Sequence, residues 1–310
     1  MILALVGPTG IGKSELAVAL ARLIPSEIVV VDSMQVYRGM DRGTGKPDVS
    51  IQQGIPHHGL DLIEPEEEFD VARFRAIAVP VIEAIQARGH LPVLVGGSGL
   101  YFRALVDGLC QAPKKDPFLR ESLLQEGRQK GAPVLHARLK QQDPATAARV
   151  HPNDLRRIVR ALEVFVVSGR PLSFWQEETT QPFPGEKRLI GLTCDRAVLY
   201  QRIERRIDRW LKEGWLEEAK ALTQRALSHT AREALGYREL FSFLEGNADW
   251  ESTVVLIKKN TRRYAKRQLA WFRADPRIEW LAINGMTPDL LAAQILSRIQ
   301  WNAPFLSTSV

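Results

Sequence analysis

Eight residues near the start of the chain, Gly7-Pro8-Thr9-Gly10-Ile11-Gly12-Lys13-Ser14, have the spacing G-x-x-x-x-G-K-[ST]. That spacing builds a loop around phosphate. Its glycines let the backbone approach phosphate oxygens closely, and the helix that follows turns its N–H groups and positive dipole end toward the anion. Lys13 adds a mobile cation, and the Ser14 hydroxyl can complete the shell of a Mg²⁺ ion. All eight residues are therefore candidates for binding a diphosphate or triphosphate. The loop alone leaves open which one, and whether any phosphoryl group moves.

A second chemical group follows the next apolar run. In Glu27-Ile28-Val29-Val30-Val31-Asp32-Ser33-Met34-Gln35-Val36-Tyr37 the run ends at Asp32. Ligands of open α/β sheets sit at the carboxyl ends of strands, which places Asp32 beside the phosphate loop. A carboxylate there can serve Mg²⁺ or take a proton from an incoming nucleophile. Gly96-Gly97-Ser98-Gly99 also follows an apolar run, and glycine in such a place permits close approach of a ligand or of another backbone segment.

Positive charge concentrates at residues 257–273, which hold seven cations and no acid. At 100° per residue Lys258, Lys259, Arg262, Arg263, Lys266, Arg267 and Arg273 fall on one half of a helix, and Ile257, Tyr264, Trp271 and Phe272 on the other. The expectation is a helix packed on its aromatic side and offering a cationic stripe to a phosphodiester backbone. Arg156, Arg157 and Arg160 form a smaller cluster beside apolar Leu155, Ile158, Val159 and Leu162. Arg202, Arg205, Arg206 and Arg209 are mixed with Glu204 and Asp208, which suits ion pairing within one helix.

The elements that must position these groups alternate between strand and helix up to about residue 113. Strands are expected at Ile2–Val6, Glu27–Val31 and Leu91–Val95, with a loop around Pro56-His57-His58-Gly59 and a helix over Val71–Arg88 stopped by Gly89. From Gln111-Ala112-Pro113-Lys114-Lys115-Asp116-Pro117 to about Phe174 the pattern is helical only. A strand returns at Arg188–Cys194, long helices follow to Arg273, and Ile278–Ile283 reads as a last strand. The fold class is thus α/β, a P-loop NTPase-like parallel sheet core (1–113 and 186–310) with a helical insertion domain (114–185).

A chain of 310 residues that is 45% hydrophobic can bury a sizeable core. No apolar run reaches the roughly 18 residues needed to cross a bilayer, and Met1–Val6 has no basic flank or cleavage signal, so a cytoplasmic protein is expected. The only cysteines, Cys110 and Cys194, lack metal-site spacing and are expected to be packing residues. The net charge of +6 leans toward a polyanionic partner.

Taken together, the phosphate loop, Val31-Asp32-Ser33-Met34-Gln35-Val36-Tyr37, Gly43-Thr44-Gly45-Lys46-Pro47, Pro56-His57-His58, Gly96-Gly97-Ser98-Gly99-Leu100-Tyr101, His151-Pro152-Asn153-Asp154, Gly236-Tyr237-Arg238 and Lys266-Arg267-Gln268 resemble the tRNA dimethylallyltransferase family, in family order over about residues 3–273. The resemblance implies transfer of a dimethylallyl group from dimethylallyl diphosphate to the exocyclic amine of the adenosine 3′-adjacent to the anticodon. The loop would then hold the leaving diphosphate, with Mg²⁺, and no phosphoryl group would move. It further implies that Asp32 is the general base, that Thr9 lies near the reacting oxygen, and that Arg202 or Arg206 joins Lys13 at the diphosphate. A weak base suffices, since the amine proton becomes acidic as the nitrogen gains positive charge, and the adenine is expected to leave its stack.

The resemblance also sets a border for the target nucleotide and the anticodon stem-loop: Asp32, Ser33, Met34 and Gln35; Ser98; Arg120; the run Arg156, Arg157, Ile158, Val159, Arg160; the run Glu233, Ala234, Leu235, Gly236, Tyr237, Arg238; and Lys266, Arg267, Gln268, Leu269, Ala270, Trp271, Phe272, Arg273. Many family members carry Thr where this chain has Ser98, and the hydroxyl is kept. A monomer is expected. The rival readings are an ATP-dependent small-molecule kinase, in which Asp32 would orient an acceptor hydroxyl, and a non-catalytic nucleotide switch that binds RNA. The cationic helix is surplus to the first.

Overall fold

The computed structural model of the chain describes residues 1–178 and 180–299; residue 179 of the expected insertion and residues 300–310 of the expected core lie outside them. Strands β1 (Ile2–Val6), β2 (Ser26–Val31), β3 (His57–His58), β4 (Leu91–Gly96), β5 (Lys187–Thr193) and β6 (Glu279–Ala282) form one six-stranded sheet in the order β3-β2-β4-β1-β5-β6. Every pairing is parallel. β1, β2 and β4 are buried at every position, which is why residues 2–6, 28–31 and 91–95 read as apolar runs without alternation; Glu27 at the start of β2 is buried too, its carboxylate accepting from Arg88 at 2.8 and 2.9 Å. The expected strands match within one or two residues. β3 is new: its two residues sit in a segment expected to be loop and are too few to show a period.

Helices α1 (Lys13–Leu23), α2 (Val49–Gln52) and α3 (Val71–Ala87) connect the early strands, and α4 (Gly99–Val106) follows β4. Asp70 caps α3 by accepting from the Ala72 and Arg73 amides, and Gly89 follows its end at φ +74°, as a left-handed stop requires. The described residues form two compact units, one of residues 1–102 with 184–299, the other Arg103–Phe183. These junctions differ from the expected 113/114 and 185/186. The stretch after α4 packs on the insertion itself: a Cβ on Gly108 would lie 2.1 Å from the Gln181 carbonyl oxygen, and Arg160 donates to the Pro113 carbonyl at 2.8 Å.

The second unit holds α5 (Pro117–Lys130), α6 (Ala132–Gln142), α7 (Pro144–Arg149), α8 (Leu155–Ser168) and α9 (Leu172–Glu178). Leu123, Leu135, Leu139, Ile158, Val159 and Leu162 form its core. Two buried carboxylates organise the rest. Asp143 accepts from the Thr146 and Ser173 amides, both at 3.0 Å. Glu163 accepts from Arg120 (2.7 Å), Arg160 (2.8 Å) and the Asp116 amide (2.9 Å). Burial alone would raise the Glu163 carboxyl, but these partners outweigh it and hold it below its ordinary range.

The remaining helices are α10 (Arg196–Lys212), α11 (Trp215–Leu222), α12 (His229–Arg232), α13 (Tyr237–Leu244), α14 (Trp250–Arg273) and α15 (Pro288–Ile299). Among the described residues no helix is long and apolar enough to cross a membrane. Cys110 and Cys194 are free thiols that remain partly exposed, so neither is a full core residue.

Candidate active site

Val6, Gly96 and Val31 lie in register across β1, β4 and β2. The residues that follow, Gly7, Gly97 and Asp32, therefore leave the sheet together at its carboxyl edge. The chain's strand order also reverses there, since β2 and β3 lie beyond β4 while β5 and β6 lie beyond β1. A cavity of about 1200 Å³ opens at this edge, lined by the phosphate loop, Asp32 and the arginines of α10.

The loop needs its glycines. Gly7, Gly10 and Gly12 have φ of +147°, +82° and +99°, values that side chains rarely adopt. A Cβ on Gly10 would lie 2.9 Å from Ile203 of α10. Gly12 caps α1 without a side-chain hydrogen bond, so the first-turn N–H groups stay available to an anion. Ile11 is buried and can offer only its backbone. Lys13 arches back, its Nζ donating to the Gly7 (3.1 Å) and Pro8 (2.9 Å) carbonyls. Burial, aided by the Arg206 charge and opposed by Asp32 and Glu15, lowers Lys13 to about 8.

Both expected arginines reach the cavity in different ways. Arg206 donates to Thr9 Oγ1 at 2.5 Å and stacks 4.4 Å from the Trp210 ring centroid. Burial lowers its guanidinium to about 10. Arg202 stands over the start of α1, its Nη2 3.1 Å from where a Gly12 Cβ would sit.

Asp32 Oδ1 accepts from the amides of Met34 (2.8 Å) and Gln35 (3.4 Å). Burial pushes its carboxyl up, against these hydrogen bonds and the attraction of Lys13. Ser98 Oγ accepts from the Ser33 amide at 3.2 Å, which ties the ends of β2 and β4. Gln35 donates to the Thr44 (3.0 Å) and Gly45 (3.3 Å) carbonyls. That loop is held from behind, where Tyr237 Oη accepts from the Gly43 amide at 3.2 Å and donates to Glu218. Glu218 and Tyr264 were not identified from sequence as site residues. Tyr264, expected on the packed face of α14, lines the cavity instead; burial, reinforced by Asp32, keeps its phenol protonated.

Among the described residues no three His, Cys, Asp or Glu side chains cluster as a metal site. Ser14 and Asp32 border the same cavity, a sparse oxygen set that suits Mg²⁺ held chiefly by substrate phosphate and water.

The charges of α10 and α14 are arranged differently from expectation. Glu204 and Asp208 do not pair within α10: Glu204 pairs with Arg262 and Asp208 with Lys258 at 2.6 Å. Two of the seven expected stripe cations are thereby engaged, while Lys259, Arg263, Lys266, Arg267 and Arg273 remain exposed. Arg202, Arg205, Arg206 and Arg209 of α10 line the cavity.

Several residues expected to border the target nucleotide are placed otherwise. Ile158, Val159, Tyr237 and Phe272 are core side chains; Gln268 is buried but borders the cavity, as does exposed Arg267. Trp271 lies against Gly99, where a Cβ would come within 2.2 Å of its ring. Gly236, at φ +89°, backs onto Trp215 and is held by Glu239, which accepts from its amide at 2.7 Å. Ser33, Met34, Gln35, Glu233, Ala234, Leu235 and Arg238 border the cavity, although Ala234 is almost wholly buried. Leu269 is half-buried and Ala270 exposed. Arg120 and Arg160 are half-buried on Glu163, whereas Arg156 and Arg157 are exposed.

Known proteins resemble this chain along most of its length. A family model described as IPP transferase matches residues 35–275, and one described as isopentenyl transferase matches residues 1–59. The chain is 50% identical to the tRNA dimethylallyltransferase of Symbiobacterium thermophilum over 92% of this chain and 90% of that protein. It is 47% identical to that of Geobacter sulfurreducens over 89% of each. Among solved structures, the tRNA isopentenylpyrophosphate transferase of Bacillus halodurans matches with TM-score 0.73 and 39% identity, over 96% of this chain and 95% of that one. A eukaryotic dimethylallyltransferase acting on tRNA matches with TM-score 0.80 and 27% identity, over 99% and 81%. With its phosphate loop and Asp32 at one sheet edge, the chain belongs to the tRNA dimethylallyltransferase family of prenyl-transferring enzymes.

Proposed function

We propose that this chain moves a dimethylallyl group from dimethylallyl diphosphate onto the exocyclic amine of the adenosine 3′-adjacent to the anticodon of a tRNA. The observation that carries the reading is that Asp32, on leaving β2, shares one cavity at the sheet edge with Lys13 and with Arg202, Arg205 and Arg206 of α10. One end of that cavity suits a leaving diphosphate and the other an amine that must lose a proton. The bond between the allylic carbon and the diphosphate oxygen breaks, and its electron pair departs with the diphosphate. The amine nitrogen forms the new C–N bond, and its proton passes to the Asp32 carboxylate.

Lys13, Arg206, Thr9 and the first-turn amides of α1 stabilise charge that grows on the departing oxygen, and hence act most strongly in the transition state. Mg²⁺ bound by the diphosphate and Ser14 would neutralise further leaving-group charge. The exposed cations of α14 dock the phosphates of the anticodon stem-loop, and Arg156 and Arg157 of the helical insertion make further contacts. The reading takes the chain to act as a monomer in the cytoplasm. A kinase reading leaves the exposed face of α14 without a purpose and is not favoured by the family.

The test combines the protein with dimethylallyl diphosphate, Mg²⁺ and unmodified tRNA. Mass spectrometry should show a five-carbon addition on one adenosine, lost in Asp32→Asn while diphosphate binding persists. ATP hydrolysis without that addition would overturn the proposal.

A further inference from the structure

Gln268 lies on α14 beside the exposed Lys266 and Arg267, yet it turns the other way and is 6% exposed. Its Oε1 accepts from the Thr9 amide at 2.8 Å, and its Nε2 donates to the Gly97 carbonyl at 3.0 Å. A backbone amide only donates and a carbonyl only accepts, so the two partners fix a single orientation of the side-chain amide. Gly97 is shaped for it: a Cβ there would lie 2.0 Å from Nε2. Thr9 is thereby pinned on both sides, its hydroxyl by Arg206 at 2.5 Å and its N–H by Gln268.

The resemblance groups Gln268 with residues that border the tRNA, but a buried amide with both ends engaged has little to offer an RNA. We propose that Gln268 is a positioning residue for the donor: it clamps the Thr9 peptide of the phosphate loop to the end of β4, and so presets the loop for a diphosphate. Without the clamp, the entropy of ordering the loop falls on the binding step. The proposal rests on the function proposed above only for the name of the diphosphate ester, since any diphosphate seated in the loop is affected alike.

The probe is inorganic diphosphate, titrated calorimetrically into the full chain without tRNA. Gln268→Met keeps the size and removes both hydrogen bonds, and should weaken diphosphate binding about tenfold. Donor KM should rise by a similar factor, with kcat changed much less, and with tRNA affinity and its salt dependence unaltered. Gly97→Ala, which displaces the same amide from the other side, should reproduce this split, and the double variant should be no worse than either alone. A loss of tRNA affinity with diphosphate binding intact, or unchanged diphosphate binding in both variants, overturns the proposal. A wild-type chain that binds diphosphate but modifies no tRNA would instead overturn the proposed function and leave the Gln268 measurement valid.

Discussion

Helices α10 and α14 differ in sequence in a way that suggests opposite roles. α10 interleaves Glu204 and Asp208 among its arginines, as a self-neutralised helix would, whereas the cationic run of α14 contains no acid. The structure redistributes these charges. The acids of α10 face α14 and hold Arg262 and Lys258, which leaves Arg202, Arg205 and Arg206 to line the cavity. α10 thus becomes the inner, cavity-facing cationic surface and most of the remainder of α14 the outer one, although Arg267 also borders the cavity. Burial sets Arg206 apart: it is half-buried and its guanidinium is lowered to about 10, whereas Arg202 and Arg205 are exposed like the cations of α14, and charge acts more strongly at a desolvated group than on an exposed face.

The largest expected effect comes from breaking the inner surface. Arg206→Ala should reduce single-turnover transfer by roughly 10²–10³-fold, the usual range for losing a donor that faces developing charge, with tRNA affinity little changed. A drop confined to tRNA binding would remove the distinction between the helices.

Next in size is a pH dependence peculiar to the inner surface. Lys13 titrates near 8, below its ordinary value, and only its ammonium attracts diphosphate. Donor affinity should be full below pH 8 and fall as pH rises through that value. On the acid side, Asp32 must be ionised to take a proton; its carboxyl is raised by burial, so the rate should be lost on acidification above the ordinary carboxylate range. Donor binding and single-turnover rate measured from pH 5 to 10 check both limbs, and tRNA docking should follow neither.

The outer surface should respond to salt instead. Neutralising Arg263 and Lys266 together should lower the slope of log affinity for tRNA against log salt by about two and weaken binding at low salt, with little change in sequence preference. If two exposed cations are removed and neither affinity nor slope moves, α14 is a solvated face. The smallest effect should come from the seam. Glu204→Gln, which releases half-exposed Arg262, should change stability by less than about 1 kcal/mol, read as a small shift in thermal midpoint, and leave the chemistry intact.

Much of the architecture was legible because it is written locally. β1, β2 and β4 are buried along their whole length, and such strands are mostly apolar, with buried Ser26 and Glu27 at the start of β2 as exceptions. The phosphate loop is a contiguous motif whose glycines answer to backbone angles. Asp32 could be placed because it ends a strand, and strand ends in a parallel sheet share an edge. The two-residue β3 was not legible, and neither were the unit junctions, since the stretch after α4 has no pattern of its own and is claimed by contacts to Gln181 and Arg160. Within the site, Glu218 carries no motif: it acts through Tyr237 on Gly43, which lies 194 residues before Tyr237 in the chain.

By itself, then, the sequence determined the parallel α/β core, the phosphate-binding loop, the acid beside it and an excess of cations on α14, because each depends on residues within one turn, one strand or one helix. Tertiary structure alone decided which cations are free. It paired Lys258 and Arg262 across a helix seam, sent Arg206 to Thr9 across 197 residues of chain, and turned Gln268 inward to Thr9 across 259. The physical reason is range: backbone conformation and apolar periodicity are set by neighbours in the chain. The state of a charge or an amide is set by whatever group the fold brings within about 3 Å of it.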